Sequence, residues 1–340
     1  MKKNILLIFT GGTIGSQLSG DTINTDGSAD FKLLQRFAEH DAKPDSVNFK
    51  TLQPVQILSE NLHPSHWPQI IAAVETEDLS QFDGIIVTHG TDSLAFSAAA
   101  LSLYFNGLAI PLLLVSSDLP LDNPQANGVA NFLCAVEFIR QIGLAGVFVP
   151  YRNPGQAMLI HLGSRLSSCL PLSSDFISVQ SQAWMCFENG CFHSLQNLAP
   201  GARSPIALKP DFSKRILLIR PYPGLDYAAY NLDKVDALLH DLYHSGTACA
   251  SAAAGEQYSL VEFVKHCTRQ GIKTYLAPAL YSESAYASTR ELLDVGAEMI
   301  WNTSLEAAYA KLLLAYGNFD TPQAISGYLA QNLAHEQLGN

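Results

Sequence analysis

The chain has 340 residues, of which 48% are hydrophobic, and a formal net charge of −11 from 20 basic and 31 acidic side chains. This length exceeds what one compact core usually spans, so two domains are expected. No stretch is rich in lysine and arginine and no apolar run approaches the length of a spanning helix, which argues against a nucleic-acid partner and against a membrane.

The first predicted element is the apolar run NILLIF, residues 4–9, which indicates a strand buried on both faces. It ends in Thr-Gly-Gly-Thr, residues 10–13. The run is too short for the core of a signal peptide, which needs about seven to fifteen apolar residues. A cytoplasmic location is therefore expected. Residues 16–29 are polar and lack apolar periodicity, and they predict a surface loop.

Strand and helix patterns then alternate. GIIVTHG, residues 84–90, reads as a buried strand, and the helical pattern that follows offers Thr91, Asp92 or Ser93 as its cap. PLLLVSSD, residues 111–118, repeats the change from buried strand to polar end. The other predicted elements of this half are a strand at 51–58, helices at 65–76 and 126–141, and a hairpin formed by 146–151 and 156–162.

This alternation predicts an α/β fold whose larger N-terminal domain, residues 1–194, has a mostly parallel sheet flanked by helices. Residues 195–213 are rich in proline and predict a linker. A smaller C-terminal α/β domain follows over 214–340. Its predicted elements are strands at 215–224, near 247–250 and at 273–277, and helices at 226–243, 259–270, 284–294 and 304–315.

The six cysteines are scattered and form no C-x-x-C pair, which is typical of reduced structural thiols. Cys186, Cys191 and His193 lie close together in sequence. A tetrahedral metal site would need a fourth ligand at suitable spacing, and none is evident. The residues Glu-Asn-Gly at 188–190 favour a turn between two strands with small buried side chains instead, so no metal is expected there.

Ligands of parallel sheets bind beyond the carboxyl ends of the strands, and three predicted strand ends carry TGGT, THGTD and SSD. TGGTIGS does not match the glycine patterns of phosphate-binding loops, which leaves a plain turn or a nucleophile site. In the second case Thr13 supplies a hydroxyl that needs a base and an oxyanion donor nearby. The segment from Thr91 offers a helix-start N–H, a second hydroxyl and the Asp92 carboxylate, although both residues also suit a plain helix cap.

TGGTIGS at 10–16 and VTHGTDS at 87–93 together resemble the two signatures of the bacterial-type L-asparaginase family. The similarity extends to RPYPG at 220–224, SLEAAYAKLLL at 304–314 and SGYLAQNLAHE at 326–336, which look like segments of the cytoplasmic branch. The resemblance implies a larger N-terminal domain, a smaller C-terminal domain and a homodimer or homotetramer. It also implies hydrolysis of L-asparagine to L-aspartate and ammonia, without a cofactor.

Carried over residue by residue, the resemblance places the nucleophile at Thr13 and the second threonine and its aspartate at Thr91 and Asp92. It places Ser59 and Glu60 at the pair that contacts the α-carboxylate and α-amino groups of the substrate, although for these two residues alone a loop or helix start is the better explanation. Gly12 and Gly90 are expected to let the backbone approach the substrate closely.

The sequence departs from the family at the expected site. In GSRLSSC, residues 163–169, Ser168 stands where the family has a lysine beside the second threonine. The loop at 20–27 contains no tyrosine, Thr22 being nearest in register, and residues 246–257 are alanine-rich. Residues 116–118 also differ from the small-residue pattern of the family. A neutral hydroxyl cannot replace an ammonium that poises a threonine for proton transfer.

Three functions therefore stay open: an asparaginase in which Arg165 or a lysine of the other domain replaces the missing charge, a weakly active or non-catalytic relative that binds an amino acid, and an amidohydrolase of altered substrate. Fold resemblance alone does not decide among them.

Overall fold

The computed structural model describes residues 2–12, 14, 16–19, 22–25, 28–197 and 205–339. The chain divides into two compact units, Met1–Pro210 with Leu333–His335, and Asp211–Asn332 with Glu336–Asn340. The predicted linker at 195–213 lies partly outside the described residues, and the predicted domain boundaries stay a proposal.

The larger unit is built on one mixed sheet. Among the described residues it has eight strands in the order β10-β9-β8-β7-β6-β5-β1-β4. Five neighbouring strands are parallel, namely β4, β1, β5, β6 and β7, and β8, β9 and β10 continue the sheet antiparallel. Their bounds are β1 Lys3–Ile8, β4 Val47–Leu52, β5 Gly84–Thr88, β6 Pro111–Val115, β7 Gly146–Arg152, β8 Met158–Leu162, β9 Met185–Glu188 and β10 Cys191–Ser194.

The central strands are apolar along their whole length because helices cover both faces of the sheet. All residues of β5 and β6 are buried, as such a position requires. The helices of this unit are α1 Ser28–His40, α2 His66–Glu75, α3 Leu94–Tyr104 and α4 Gly128–Gln141. Aromatic side chains fill one interface, where the Phe37 ring of α1 meets the Phe132 ring of α4 edge-on at 5.6 Å.

The smaller unit has a sheet of its own. Its four described strands are all parallel in the order β11-β12-β13-β14. The strands are β11 Ile216–Ile219, β12 Ala237–His240, β13 Lys273–Ala279 and β14 Glu298–Trp301, and the helices are α5 Leu260–Arg269, α6 Ala287–Asp294, α7 Leu305–Asn318 and α8 Pro322–Leu329. The predicted fold class, two α/β units of which the first is larger and mostly parallel, is confirmed.

The helix predicted at 226–243 is wrong. That segment contains a short 3₁₀ turn at Tyr227–Ala229 and then β12, whose four residues are all buried. Because a short apolar run fits a buried strand as well as a helix, periodicity alone did not separate the two. The strand predicted near 247–250 is also wrong, since these residues hold no regular secondary structure.

Two predictions in the first half need correction. The strand predicted at 51–58 lies earlier, at β4, and ends before Pro54, which has no N–H for a ladder. The loop predicted at 16–29 contains the antiparallel pair β2 Ser16–Ser19 and β3 Thr22–Thr25, and α1 begins within it. A pair of four-residue strands needs no long apolar run, so composition does not reveal it.

The hairpin of β9 and β10 turns at residues 189–190, within the turn predicted from Glu-Asn-Gly. Its register places Cys186 opposite His193 and Glu188 opposite Cys191. Within the described ranges, no three histidine, cysteine, aspartate or glutamate side chains converge as metal ligands. In those same ranges, every helix is too short or too polar to cross a bilayer.

Candidate functional site

The carboxyl ends of β1 and β5 lie side by side, as the sequence predicts. The Thr10 hydroxyl donates a hydrogen bond of 2.6 Å to the Thr88 carbonyl. On the other side of β1, the N–H of Gly12 donates to the carbonyl of Ile57 at 2.9 Å, and the N–H of Ile57 donates to the carbonyl of Thr10 at 2.9 Å. Three segments therefore meet beyond the strand ends, where parallel sheets bind ligands.

Two glycines allow this close approach. Gly12 has φ +80°, and a Cβ built on it would lie 2.3 Å from the backbone nitrogen of Gly90. A Cβ built on Gly90 would lie 2.4 Å from the Ser59 hydroxyl oxygen. Any other residue at either position would push the three segments apart, so both glycines are needed for the packing of the site.

We expect Gly12→Ala to lower the free energy of unfolding by about 2–5 kcal/mol, because a left-handed backbone and a backbone clash act together. Gly155→Ala is the matched control. Gly155 has φ +71°, but nothing lies within 4 Å of its added Cβ, and its expected cost is about 1 kcal/mol. Urea denaturation measures the free energy of unfolding of both variants. Equal losses of unfolding free energy would mean that the close contact between Gly12 and Gly90 does not contribute to stability.

Ser59 and Asp92 form the best-defined polar contact of the site. The Ser59 hydroxyl donates to the Asp92 carboxylate at 3.0 Å, and the Asp92 N–H donates to the Ser59 hydroxyl oxygen at 3.1 Å. Ser59 is buried on a 3₁₀ turn at Ser59–Asn61, whereas Asp92 is exposed just before α3. The structure thus brings together two predicted site residues that lie 33 positions apart in the sequence.

None of the ion pairs formed by the described residues includes Asp92. The segment that carries Ser168 does lie near it. Burial raises the pKa of the Cys169 thiol, and the charges of Asp175 and Asp92 raise this pKa further. A neutral hydroxyl and a protonated thiol thus occupy the segment where the family resemblance expects an ammonium.

Arg165, considered in sequence as a replacement for that ammonium, is buried and faces a different partner. Its Nε donates a hydrogen bond to the carbonyl of His335. The hydroxyl of its neighbour Ser164 donates to the carbonyl of Ala334 at 2.6 Å. These bonds hold the 163–165 turn against residues 334–335.

The other predicted site residues have less defined roles. Thr13, the expected nucleophile, lies outside the described residues. Thr91 is half-buried at the end of the β5 segment, next to Asp92. Glu60 is exposed on the same turn as Ser59. Their catalytic and binding roles stay predictions.

His89 lies within the site and was not predicted as part of it. Its ring is buried, and Nδ1 lies 2.7 Å from the carbonyl of Gly90, to which it donates as an N–H. Burial lowers the pKa of His89, only partly opposed by this hydrogen bond and by the charge of Asp92. A neutral imidazole therefore holds the carbonyl of Gly90, next to the His89–Gly90 peptide that Gly12 packs against. In the sequence, His89 could be noticed only as part of Thr-His-Gly-Thr-Asp, the polar stretch at the end of an apolar strand.

The third strand end, SSD, is tied into its own loop. The Asp118 carboxylate accepts the N–H of Asn127 at 2.9 Å, and the Asn127 side-chain oxygen accepts the N–H of Asp118 at 3.0 Å. The Ser117 hydroxyl donates to the carbonyl of Leu119 at 2.5 Å. The side chains of Ser117, Asp118 and Asn127 therefore order the loop after β6.

Known proteins of similar sequence include glutamyl-tRNA(Gln) amidotransferase subunits D. The protein from Haloquadratum walsbyi is 26% identical over 350 residues, covering 98% of this chain and 76% of that protein. The protein from Saccharolobus islandicus strain L.S.2.15 is 26% identical over 345 residues, with the same coverage of 98% and 76%.

Solved structures of similar fold include L-asparaginases. The thermostable L-asparaginase from Thermococcus kodakarensis superposes with a TM-score of 0.81 at 25% identity, covering 99% of this chain and all of that one. L-asparaginase I from Vibrio cholerae gives a TM-score of 0.80 at 22% identity, again covering 99% of this chain, and shows the shared fold. The family model for the N-terminal part of asparaginase matches residues 4–197, more than half of the chain, and the chain therefore belongs to the asparaginase family.

Proposed function

We propose that this protein binds a free α-amino acid at Ser59 and Asp92 and hydrolyses an amide side chain slowly or not at all. One observation carries the proposal: the Asp92 carboxylate is held in place by Ser59 and forms no ion pair with any described residue. An unpaired carboxylate at the mouth of a site suits the ammonium of a ligand. The same lack of a cation removes the group that would assist proton transfer.

The slow reaction has a simple course. The Thr13 oxygen attacks the side-chain amide carbon, the C–N bond breaks, and ammonia leaves with the proton of the hydroxyl. Water then cleaves the resulting ester and restores the threonine. A threonine hydroxyl is a poor nucleophile unless a base removes its proton. Ser168 puts a neutral hydroxyl where the family has the ammonium that assists proton transfer through Thr91, so the first step is expected to limit the rate.

A second candidate is an L-asparaginase of ordinary rate, acting on L-asparagine through the same threonine. The similarity to the Thermococcus kodakarensis L-asparaginase along the whole chain favours it. In this case another cation must enter the site. We further propose a cytoplasmic homodimer or homotetramer, as the resemblance to the family implies.

Two measurements on the purified protein separate these functions. Calorimetry measures binding of L-aspartate and L-asparagine, and an enzymatic assay measures ammonia released from L-asparagine and L-glutamine, each compared with Thr13→Ala. Binding with release no faster than the Thr13→Ala background supports a binding protein. Rapid release that vanishes in Thr13→Ala would establish the second candidate. A folded protein that neither binds nor releases ammonia would contradict both.

We expect Asp92→Asn to raise the dissociation constant of L-aspartate about tenfold to a hundredfold, because a neutral amide cannot replace a charge-assisted bond to an ammonium. Asp118→Asn is the matched control, since it removes one negative charge at a neighbouring strand end. Its side-chain oxygen still accepts the N–H of Asn127. The control is expected to change the dissociation constant less than about twofold, within the range of a screened surface charge. A similar loss of L-aspartate affinity in both variants would mean that only the net charge of the protein affects binding.

A further inference from the structure

Ser93 occupies the first capping position of α3, but its side chain does not cap the helix. A serine here usually accepts an N–H from the first turn. In this protein the Ser93 hydroxyl donates instead to the backbone carbonyl of Ser59, at 2.7 Å. The helix thus forgoes a cap, and the hydroxyl connects the start of α3 to the turn that carries Ser59.

Ser59 is fixed on two sides by these contacts. Its carbonyl accepts the Ser93 hydroxyl, and its own hydroxyl oxygen lies against the bare Cα of Gly90, where an added Cβ would clash. The turn that holds it spans only three residues. A turn this short has few internal bonds. The Ser59 carbonyl accepts the Leu62 N–H within the turn at 3.2 Å, and the shorter bond from Ser93 ties the same carbonyl to the start of α3.

The Ser59 hydroxyl has only one proton, and this proton is donated to Asp92. It therefore cannot also be donated to the α-carboxylate of a ligand. An α-amino acid removes this conflict because it has both charged groups. Its ammonium can satisfy Asp92, and the Ser59 proton is then released toward the carboxylate of the ligand.

We propose that Ser93 is a positioning residue, which holds Ser59 where its single proton serves Asp92 and, once the ammonium of a ligand pairs with Asp92, the α-carboxylate of that ligand. The inference rests on the proposed function, since it requires an α-amino acid at Asp92. A ligand that lacks the ammonium leaves the Ser59 proton on Asp92, so it gains less from the position that Ser93 gives to Ser59.

The test uses calorimetric titration of the full chain with L-aspartate and with succinate, which lacks the ammonium. Ser93→Ala is expected to raise the dissociation constant of L-aspartate about fivefold to tenfold, the effect of one lost hydrogen bond. Ser93→Thr keeps the donor and is expected to restore binding to within about twofold. Succinate is expected to bind the wild type at least about tenfold more weakly than L-aspartate, and to lose less affinity in Ser93→Ala.

Ser102→Ala is the matched control. The Ser102 hydroxyl lies in the same helix, α3, and donates to the carbonyl of Ala98 at 2.6 Å, so this variant also removes a hydroxyl-to-carbonyl bond. We expect it to leave L-aspartate binding unchanged. Equal binding by Ser93→Ala and Ser102→Ala would overturn the inference. So would equal losses of L-aspartate and succinate affinity in Ser93→Ala.

Amide hydrogen exchange tests the geometry without a ligand. The Asp92 N–H donates to the Ser59 hydroxyl oxygen at 3.1 Å, so its exchange rate reports whether Ser59 stays in place. NMR should show faster exchange of this amide in Ser93→Ala and no change in Ser102→Ala. Unchanged exchange in Ser93→Ala would overturn the positioning role. A wild type that binds no α-amino acid would overturn both the proposed function and the proposed transfer of the Ser59 hydrogen bond from Asp92 to the ligand. This holds even if exchange of the Asp92 amide is faster in Ser93→Ala.

Discussion

Replacing Ser168 with lysine is expected to raise the release of ammonia from L-asparagine about a hundredfold to ten-thousandfold, the usual contribution of one general acid–base group. The reason is electrostatic. Asp92 forms no ion pair with any described residue, and the thiol that follows Ser168 lies near enough to sense its charge. An ammonium at residue 168 would balance Asp92 and assist proton transfer through Thr91 from the hydroxyl of Thr13.

Two further variants make this result specific. Ser167→Lys adds the same charge one residue earlier and is expected to leave the rate at the wild-type value. Ser168→Lys combined with Thr13→Ala is expected to return release to background, because the gain depends on the threonine nucleophile. An equal gain in Ser167→Lys would show that charge alone attracts the substrate. No gain in a folded Ser168→Lys protein would mean that other changes, such as the loop without tyrosine, limit the reaction.

The meeting of the strand ends could be predicted because it follows from a general rule. Polar residues after the buried strands β1 and β5 must come together at one edge of a parallel sheet, and the bond between Thr10 and Thr88 confirms this. The family resemblance implied that Ser59 and Asp92 contact the same substrate, but it did not predict their direct contact. Composition alone could not yield it, because Ser59 lies on a short turn with no periodic pattern around it.

The errors in the predicted fold have a common cause. β12 is a run of four buried residues inside a longer, partly apolar segment, and such a run fits a helix and a strand equally well. Tertiary packing between β11 and β13 decides the outcome. The two short strands before α1 were missed for a related reason, since a four-residue pair leaves little trace in polar composition.

The roles of Ser93 and His89 could not be predicted because both depend on side-chain direction. A serine before a helix predicts a cap, yet the Ser93 hydroxyl turns to the Ser59 carbonyl. A histidine in the polar stretch after a strand is easily interpreted as a base. Here its ring is buried against the Gly90 carbonyl. Three-dimensional contacts, which a single sequence does not encode locally, assign these two side chains.

In the smaller unit, Lys311→Met is expected to lower the free energy of unfolding by about 3–5 kcal/mol, the cost of leaving one buried charge unpaired. Lys311 and Glu336 are both fully buried, and Nζ lies 2.6 Å from Oε1. Burial lowers the pKa of Lys311, and the charge and hydrogen bond of Glu336 oppose that shift. Without the ammonium, the Glu336 carboxylate would lose its charged partner in an interior that solvates it poorly. Urea denaturation at neutral pH measures the loss.

The comparison that isolates burial is Lys265→Met. Lys265 pairs with Glu262 at 2.7 Å in the same unit, but its side chain is 43% exposed. The expected loss there is about 0.2–1 kcal/mol, since water and salt screen a surface pair. Replacing both buried partners, with Lys311→Met and Glu336→Leu, should restore most of the stability because no unpaired charge remains. A double variant as unstable as Lys311→Met would mean that lost packing, and not an unpaired charge, causes the loss of stability. Equal losses of unfolding free energy in Lys311→Met and Lys265→Met would mean that burial does not strengthen the ion pair.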